Sequence, residues 1–479
     1  MPPPRSGGAV AAGHPETVRA GAEVLAAGGN AVDACVAAGI ASWVAEPTVA
    51  GPGGGGFMLV HDPRRARTVA YDFFTAVPGL GAEGPAGAPL DELMVEFGTT
   101  TQRFLVGPGS CAVPGVGVGV HEAHRRAGRL PFAALVEPAI RLARAGATLN
   151  RGQADLHAIL DPLYRRQPEA ERLFRPQGRM LLEGEIVRNE PLARTLERYA
   201  EHGAAEFSSG RTAAEILAAQ EAAGGPLTAR DLRDYRVITR RPVRAPFRGS
   251  VVLTNAPPSA GGVLIAHTLG VLERLAASGD PLDTPALLAL ARALRSAQAQ
   301  RTRAFERALY RGGARRLVLD PELLRTAASA VGRGAEAPTA RGTTHVSVLD
   351  ADGGAASMTC STGSGSGWVA GETGVHMNNM LGESDLALAS RELRPGDRIT
   401  SMMSPTIVLL DGRPRLVVGS SGSARIRSAV ASVLTRALGG SMTLREAVES
   451  PRIHPEGTAL DCEGGLRPEV LGALDLAGQ

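Results

Sequence analysis

Two threonines in succession, Thr343 and Thr344, stand where a stretch rich in Ala, Gly, Arg and Pro (332–342) gives way to a β-rich segment. A threonine hydroxyl is a weak nucleophile that works only beside a base. The same pair is also ordinary composition for the start of a strand. Three glycine-rich loops could bring backbone N–H groups to bear on a ligand. Gly419-Ser-Ser-Gly-Ser-Ala-Arg425 follows a strand pattern and opens a helical one. N–H groups at a helix start favour an anion, or the oxyanion of a tetrahedral intermediate; a plain glycine turn gives the same local pattern. Gly51-Pro-Gly-Gly-Gly-Gly56 invites a phosphate-loop reading, but its order is reversed: it follows a helix and opens a strand. It reads instead as a tight connection or a close approach of backbones. Gly363-Ser-Gly-Ser-Gly367 follows a strand and reads as a loop, or as a cover over a site.

The rest of the composition narrows the chemistry. All 51 basic side chains are arginine, so a lysine nucleophile, a Schiff base and a Walker lysine are excluded. A net charge of +3 over 479 residues argues against a nucleic-acid or polyanion binder, which needs a concentrated basic surface. With 44% hydrophobic and 21% charged residues the chain reads as soluble and globular, in two to four domains or one large multilayer domain. Cys35, Cys111, Cys360 and Cys462 show no C-x-x-C spacing and no metal-type pairing with histidine, so they are read as buried free thiols; no metal and no cofactor are expected. The N-terminal stretch has an arginine but no apolar segment behind it, unlike a signal peptide. The run Ala34 to Ala45 is too short to span a bilayer. A cytoplasmic location is therefore expected, or a periplasmic or secreted one if a signal has been removed.

These residues need a scaffold, and the pattern supplies one. Helices are predicted from Pro15 to Ala27, ending at Gly28-Gly29, and from Asn30, as cap, through Val44. Phe57 to His61 and Thr68 to Phe73 read as a hairpin. Two helices follow between Gly115 and Ala145, split near Gly128 and Pro131, and a charged helical stretch runs from Arg151 to Asp234. Val251 to Thr254 is a short strand before the loop Ala256 to Gly262. Helices are predicted over Val263–Ala277 and Thr284–Ala308. Gly332 to Gly342 is the linker candidate. Thr344 to Asp350 and Ala355 to Ser361 form a hairpin around Asp352-Gly353-Gly354, and Pro405 to Leu410 with Leu416 to Gly419 form another around Asp411-Gly412. Helices from Gly422 to Leu438 and Thr443 to Glu449 follow. Helices flanking antiparallel hairpins imply a layered α/β fold with the sheets inside.

The ordered set of stretches Ala27-Gly-Gly-Asn-Ala-Val-Asp33, Gly51 to Met58, Val113-Pro-Gly115, Pro138 to Gly146, Pro257 to Gly262, Thr343-Thr-His345, Ala370 to Gly374 with Asn378-Asn379, Met403-Ser-Pro-Thr406, Gly419 to Ile426 and Ala447 to His454 resembles the γ-glutamyltranspeptidase family of N-terminal-nucleophile hydrolases. The resemblance runs through nearly the whole chain. It implies a four-layer αββα sandwich with antiparallel central sheets, and self-cleavage between Gly342 and Thr343. The products, 1–342 and 343–479, would remain one intertwined domain, a heterodimer of the chain's own fragments, with further oligomers open. Thr343 would be the nucleophile and, through its freed α-amino group, its own base. The resemblance further implies that Ser361 hydrogen-bonds the nucleophile, that the amides of Gly422 and Ser423 form the oxyanion hole, and that Thr344 assists self-cleavage. His345, His376 and His454 read as structural. The implied substrate is a small-molecule amide or peptide; no nucleic-acid or membrane partner is implied.

The family pattern breaks at the acyl pocket. Phe74 stands where the motif has the arginine that binds a donor carboxylate, and Met402 follows Ser401 where a serine pair is expected. A gap near Gly363 removes an asparagine, and Met380 replaces a polar contact, while Glu383, with Asp385 close behind, keeps the acidic partner of the donor ammonium. Losing a bidentate arginine contact is not a mild change. Either another arginine fills in, Arg398 and Arg425 being nearest in the motif, or the donor is not an ordinary γ-glutamyl amide. Three readings follow: a γ-glutamyltransferase-like hydrolase or transferase, an amidase or acylase of the same fold for another acyl group, or an uncleaved binding protein. Relatives also continue into a final strand beyond the position of Gln479, which suggests truncation or a replaced edge.

Overall fold

In the computed structural model the described residues are 7–82, 90–97, 100–275, 279–329, 342–383, 393–440, 442–456 and 459–478. The two central sheets comprise β1 (Ala9–Ala12), β2 (Gly55–Asp62), β3 (Arg67–Phe73), β4 (Ile238–Arg240), β5 (Val243–Phe247), β6 (Ser250–Thr254), β7 (Thr344–Leu349), β8 (Ala355–Ser361), β9 (Thr406–Leu410) and β10 (Arg413–Val418). The helices used below are α1 (Pro15–Ala26), α2 (Ala31–Ala45), α3 (Gly261–Leu275), α4 (Thr284–Ala299), α5 (Arg303–Arg311) and α6 (Arg425–Ala437). Every pairing within the two sheets is antiparallel, as expected. The chain divides into two compact units, Met1–Arg240 with Ala340–Ile399 and Arg241–Thr339 with Thr400–Gln479, so each unit draws chain from both sides of position 342.

In the first unit the strand order is β1-β7-β8-β2-β3-β4. Helix α2 lies over β7 and β8. It is apolar all round and every one of its residues is buried, as a helix without a polar face requires. Asn30 starts it as the sequence predicts: its side chain accepts from the amides of Val32 and Asp33, and the Asp33 carboxylate returns the bond to the Asn30 amide. The glycine run ahead of β2 is a close approach of backbones. A methyl on Gly55 would stand 2.6 Å from the Thr75 amide nitrogen, and one on Gly56 2.5 Å from the Thr359 carbonyl oxygen; Gly53 and Gly54 are pressed on the backbones of His376 and Ser361. Without side chains here, β2 and its lead-in lie against the end of β8.

In the second unit the order is β10-β9-β6-β5, with α3 packed on β5 and against α4 and α6. Pro246 sits in β5, an edge strand, where a missing N–H is tolerated. Asp411 and Gly412, with φ of 51° and 76°, make the left-handed two-residue turn between β9 and β10. One predicted helix is corrected. Thr284–Ala308 is two helices, because Thr302 stops the first and caps α5, its hydroxyl accepting from the Phe305 amide at 3.2 Å. The short strands β1 and β5 and the ribbon Asp91–Phe97 with Thr100–Val106 went unpredicted. The linker residues 332–341 lie outside the described residues. Near the end of the chain, Pro468–Gly478 is helical.

Candidate active site

The site is built at one end of the β7–β8 hairpin. Thr344 pairs with Cys360, and continuing that register one step sets Thr343 opposite Ser361, the last residue of β8. Ser361 in turn pairs with Gly55 of β2. In the unbroken chain the Ser361 hydroxyl donates to the carbonyl oxygen of Gly342 at 2.8 Å and accepts from the amide of Gly363 at 2.7 Å. Accepting one bond orients the hydroxyl proton onto the carbonyl that precedes Thr343. Ser361 therefore engages the peptide on the N-terminal side of the threonine.

On the other side, Thr344 is buried and its hydroxyl donates to Glu46 Oε2 at 2.7 Å. Thr17 of α1 donates to Oε1 of the same carboxylate at 2.8 Å. Glu46 is 5% exposed, and burial pushes its carboxyl above the ordinary range, against the two hydroxyl bonds and the nearby His14. Sequence reasoning missed Glu46, which lies just past the helix predicted to run through Val44. A signal was available: an acidic residue closing an all-apolar helix has no solvent to face.

Beyond Ser361 lies a polar cluster. Asn379 Oδ1 accepts from the Ser364 amide at 3.0 Å, and Glu383, buried, stands 3.4 Å from that amide. Gly363, at φ 72°, leaves room for both; a methyl there would meet Glu383 Oε1 at 2.8 Å. The Nδ2 of Asn379 and the hydroxyls of Ser364 and Thr362 are buried with no hydrogen-bond partner among the described residues. Each such orphan costs about 1–3 kcal/mol. Asp385 lies outside the described residues.

Phe74 is 1% exposed and its ring stacks on Phe57, with centroids 5.2 Å apart and planes at 15°. Its backbone abuts Gly55, so the residue is near the site, but its ring is spent on packing. Met380 is likewise buried. Arg398 is committed too: it faces Asp72 at 3.5 Å, lies 4.2 Å over the Tyr235 ring and donates to the Arg236 carbonyl. Of the two arginines named as possible replacements, Arg398 is thus already engaged in structural contacts.

The remaining predicted residues belong to the second unit. The loop between β10 and α6 carries Gly422 and Ser423 with φ of 105° and 52°, a left-handed pair that re-aims the backbone before the helix. The helix opens without a side-chain cap on Ala424, and Arg425 is exposed in its first turn. Ser401 and Met402 are buried in a segment fastened to the loop before α3. The Ser401 carbonyl accepts from Ser259 Oγ at 2.8 Å and from the Ala260 amide at 2.9 Å, while the Ser401 hydroxyl accepts from the Met403 amide at 3.1 Å.

Burial lowers three of the histidines singled out in the sequence. His345 is pushed down to about 3; its ring nitrogens meet Thr359 Oγ1 at 2.8 Å and Ser347 Oγ at 2.9 Å within the sheet. His376 goes to about 4 by burial, and His454 to about 3 by burial beside Arg427 and Arg425. All three are neutral at pH 7, the state of structural histidines. Cys35, Cys111, Cys360 and Cys462 are free, and the first three are buried. No His/Cys/Asp/Glu group able to hold a metal and no helix long and apolar enough to cross a membrane occurs among the described residues.

Antiparallel sheets with helices packed on them are the architecture of the N-terminal-nucleophile hydrolases that this chain resembles. The profile of the gamma-glutamyltranspeptidase family matches residues 17–479. The glutathione hydrolase proenzyme of Escherichia coli K12 is 31% identical over 98% of this chain and 85% of its own length. The acylase ACY 1 proenzyme of Pseudomonas sp. V22 is also 31% identical, over 99% and 87%. Among solved structures, the cephalosporin acylase of Bacillus halodurans superposes with a TM-score of 0.82 at 24% identity, over 98% of this chain and 88% of that one, and supports the fold. The gamma-glutamyltranspeptidase of Pseudomonas nitroreducens in complex with L-DON gives 0.59 at 28% identity, over 68% and 95%. The chain belongs to the gamma-glutamyltranspeptidase family and is an enzyme of its hydrolase and transferase class.

Proposed function

We propose that the chain is a self-processing threonine amidohydrolase or acyltransferase that cuts itself between Gly342 and Thr343 and then carries acyl groups on Thr343. The observation that carries this reading is the Ser361 hydroxyl held on the Gly342 carbonyl. That bond polarises the carbonyl and would strengthen as negative charge grows on its oxygen. Thr343 Oγ1 attacks the Gly342 carbonyl carbon, the C–N bond breaks, and the hydroxyl proton ends on the departing nitrogen. Water then opens the ester, leaving a Gly342 carboxylate and a free Thr343 hydroxyl. The new α-amino group, ordinarily near 7.7–8.0, serves as base at neutral pH. Ser361, released from the cut carbonyl, is free to hold the nucleophile.

In turnover the α-amine takes the Thr343 hydroxyl proton as the oxygen attacks a substrate amide. It passes that proton to the leaving amine, and an acyl-enzyme remains. Water gives hydrolysis and an amine acceptor gives transfer. Gly422 and Ser423 amides are assigned to the oxyanion, and Thr344 to positioning in self-cleavage. Glu383 and the orphaned donors of Asn379, Ser364 and Thr362 are assigned to the polar end of the acyl group, with Asp385 a further acidic candidate. The fragments 1–342 and 343–479 stay together as a heterodimer.

A non-glutamyl acyl donor is favoured over glutathione-type substrates by one feature: the Phe74–Phe57 stack where the family motif has a carboxylate-binding arginine, reinforced by Met402 in place of a serine. The acylase name carried by a 31%-identical relative is compatible with that choice. A denaturing gel with N-terminal sequencing of the smaller band tests the first part: the expected sequence begins Thr343-Thr344-His345. A chain that stays whole after prolonged incubation at neutral pH would refute it. Hydrolysis of a panel of anilides, γ-glutamyl, 4-aminobutanoyl and simple alkanoyl, tests the donor.

A further inference from the structure

The turn that leaves α2 touches the chain on both sides of the bond proposed to be cut. Its first residue, Glu46, takes the Thr344 hydroxyl at 2.7 Å. Its fourth, Val49, packs so closely on Gly342 that a methyl there would overlap the valine side chain, and the Val49 carbonyl accepts from the Thr362 amide at 3.2 Å. The turn is itself closed by the Glu46 carbonyl, which accepts from the amides of Val49 at 3.0 Å and Ala50 at 2.9 Å. Residues 342 and 344 are thus fixed by one rigid bracket while Ser361 aligns the carbonyl between them. Stability does not account for the carboxylate. Glu46 is buried, and its two hydrogen-bond partners are neutral hydroxyls. Burying a charge on such terms is costly, and a neutral amide of the same shape would cost less.

We propose that Glu46 is a positioning residue: through Thr344 it holds the Gly342–Thr343 peptide in the geometry required for attack, and afterwards it holds the new N-terminal threonine in place. The Thr344–Glu46 bond is short, at 2.7 Å, and directional, which is what a residue one position from the nucleophile must supply. Misplacement of a reacting group by about 1 Å can cost on the order of a hundredfold. A steric handle also exists. Gly13 lies against the carboxylate, and a methyl there would stand 2.5 Å from Oε2, so Gly13→Ala pushes Glu46 off Thr344 without changing its charge.

The inference rests on the self-cleavage proposed above, and the experiment keeps the two apart. Full-length chain is synthesised in a cell-free reaction and its cutting followed by gel, while the melting temperature of each substitution is measured on the uncuttable Thr343→Ala background. Glu46→Gln is expected to cut about tenfold more slowly and Glu46→Ala about a hundredfold more slowly. Glu46→Gln is expected to melt no lower than its parent. Gly13→Ala should slow cutting as Glu46→Gln does. Thr344→Ser should cut faster than Thr344→Val, and adding Glu46→Gln to Thr344→Val should cost nothing more, since the contact is already gone. Undiminished cutting in the Glu46 and Gly13 variants, multiplying effects in the double variant, or rates that merely follow melting temperature would overturn the role of Glu46. Wild type that never cuts would instead overturn the self-cleavage reading, and this inference with it.

Discussion

Two parts of the first unit have been treated differently. The residues on either side of Thr343 are held in place: Ser361 is on the Gly342 carbonyl, Val49 behind the glycine and Glu46 on the Thr344 hydroxyl. Three strands over, just past the end of β3, position 74 holds an aromatic ring packed on another aromatic ring where the family motif has arginine. On the reading proposed above, the bond-breaking end is kept and the acyl end is altered. On that reading reaction class and substrate are separable: chemistry would depend on a few backbone and hydroxyl positions at strand ends, and selectivity on side chains that can be exchanged without disturbing them.

The largest effect should come from Thr343→Ala. It should remain one chain of 49.5 kDa, while wild type yields pieces of 342 and 479 − 342 = 137 residues, roughly 35 and 14 kDa by length. A variant that still splits at that bond would move the nucleophile elsewhere and dissolve the contrast. Ser361→Ala comes next. Losing the donor on the Gly342 carbonyl should slow cutting by about 10²–10³, with Ser361→Thr recovering most of it, as timed on gels.

Phe74→Arg probes the other side. Replacing a buried, stacked ring by a guanidinium should cost at least about 3 kcal/mol in urea unfolding on the Thr343→Ala background. If it is instead well tolerated, Phe74 is a pocket residue after all and the acyl end is less altered than argued. Wild type should favour a γ-glutamyl anilide over its 4-aminobutanoyl analogue by less than about tenfold in kcat/KM. A hundredfold preference, about 2.7 kcal/mol, would mean that another cation binds the carboxylate.

The smallest effect concerns pH. His345, held down to about 3, is neutral where the enzyme would work, so His345→Gln should leave the pH dependence of kcat/KM in place near the α-amine range. Stability should respond instead. In the unfolded chain the histidine takes a proton as pH falls below about 6.5, and in the folded chain it does not until about 3. Its contribution is thus present above pH 6.5 and lost on the way down to 3. His345→Gln should flatten that acid limb in melting curves.

Much of this was legible in the sequence, for identifiable reasons. The Asn30 cap, the hairpin around Asp411-Gly412 and the close approach at Gly53 to Gly56 each rest on a residue with few conformational or steric alternatives. β1 and β5 did not show, because four residues reading Ala-Val-Ala-Ala, or a strand containing Pro246, lack a strand signature. The break at Thr302 hid inside a continuous helical period. Thr343, Ser361 and Gly422 were offered as candidates through motif order. Glu46 was not, since its meaning lies in a contact 298 residues away along the chain. The alternative that Arg398 fills in could not be weighed from sequence for the same reason: only its place beside Asp72 and Tyr235 shows that its charge is already in use.

The strand order β1-β7-β8-β2 has a consequence for the life of the molecule once cut. The two strands that follow position 343 are threaded between two that precede it, each paired along its length. A nick at 342 therefore frees no edge and releases no piece, but it changes what unfolding means. Before the cut, a melted chain can find its way back alone. After it, recovery needs two separate molecules to meet and interleave, so refolding should depend on concentration and fail in dilute solution. Processing would then act as a one-way latch, giving up the ability to re-form in exchange for a working N-terminus.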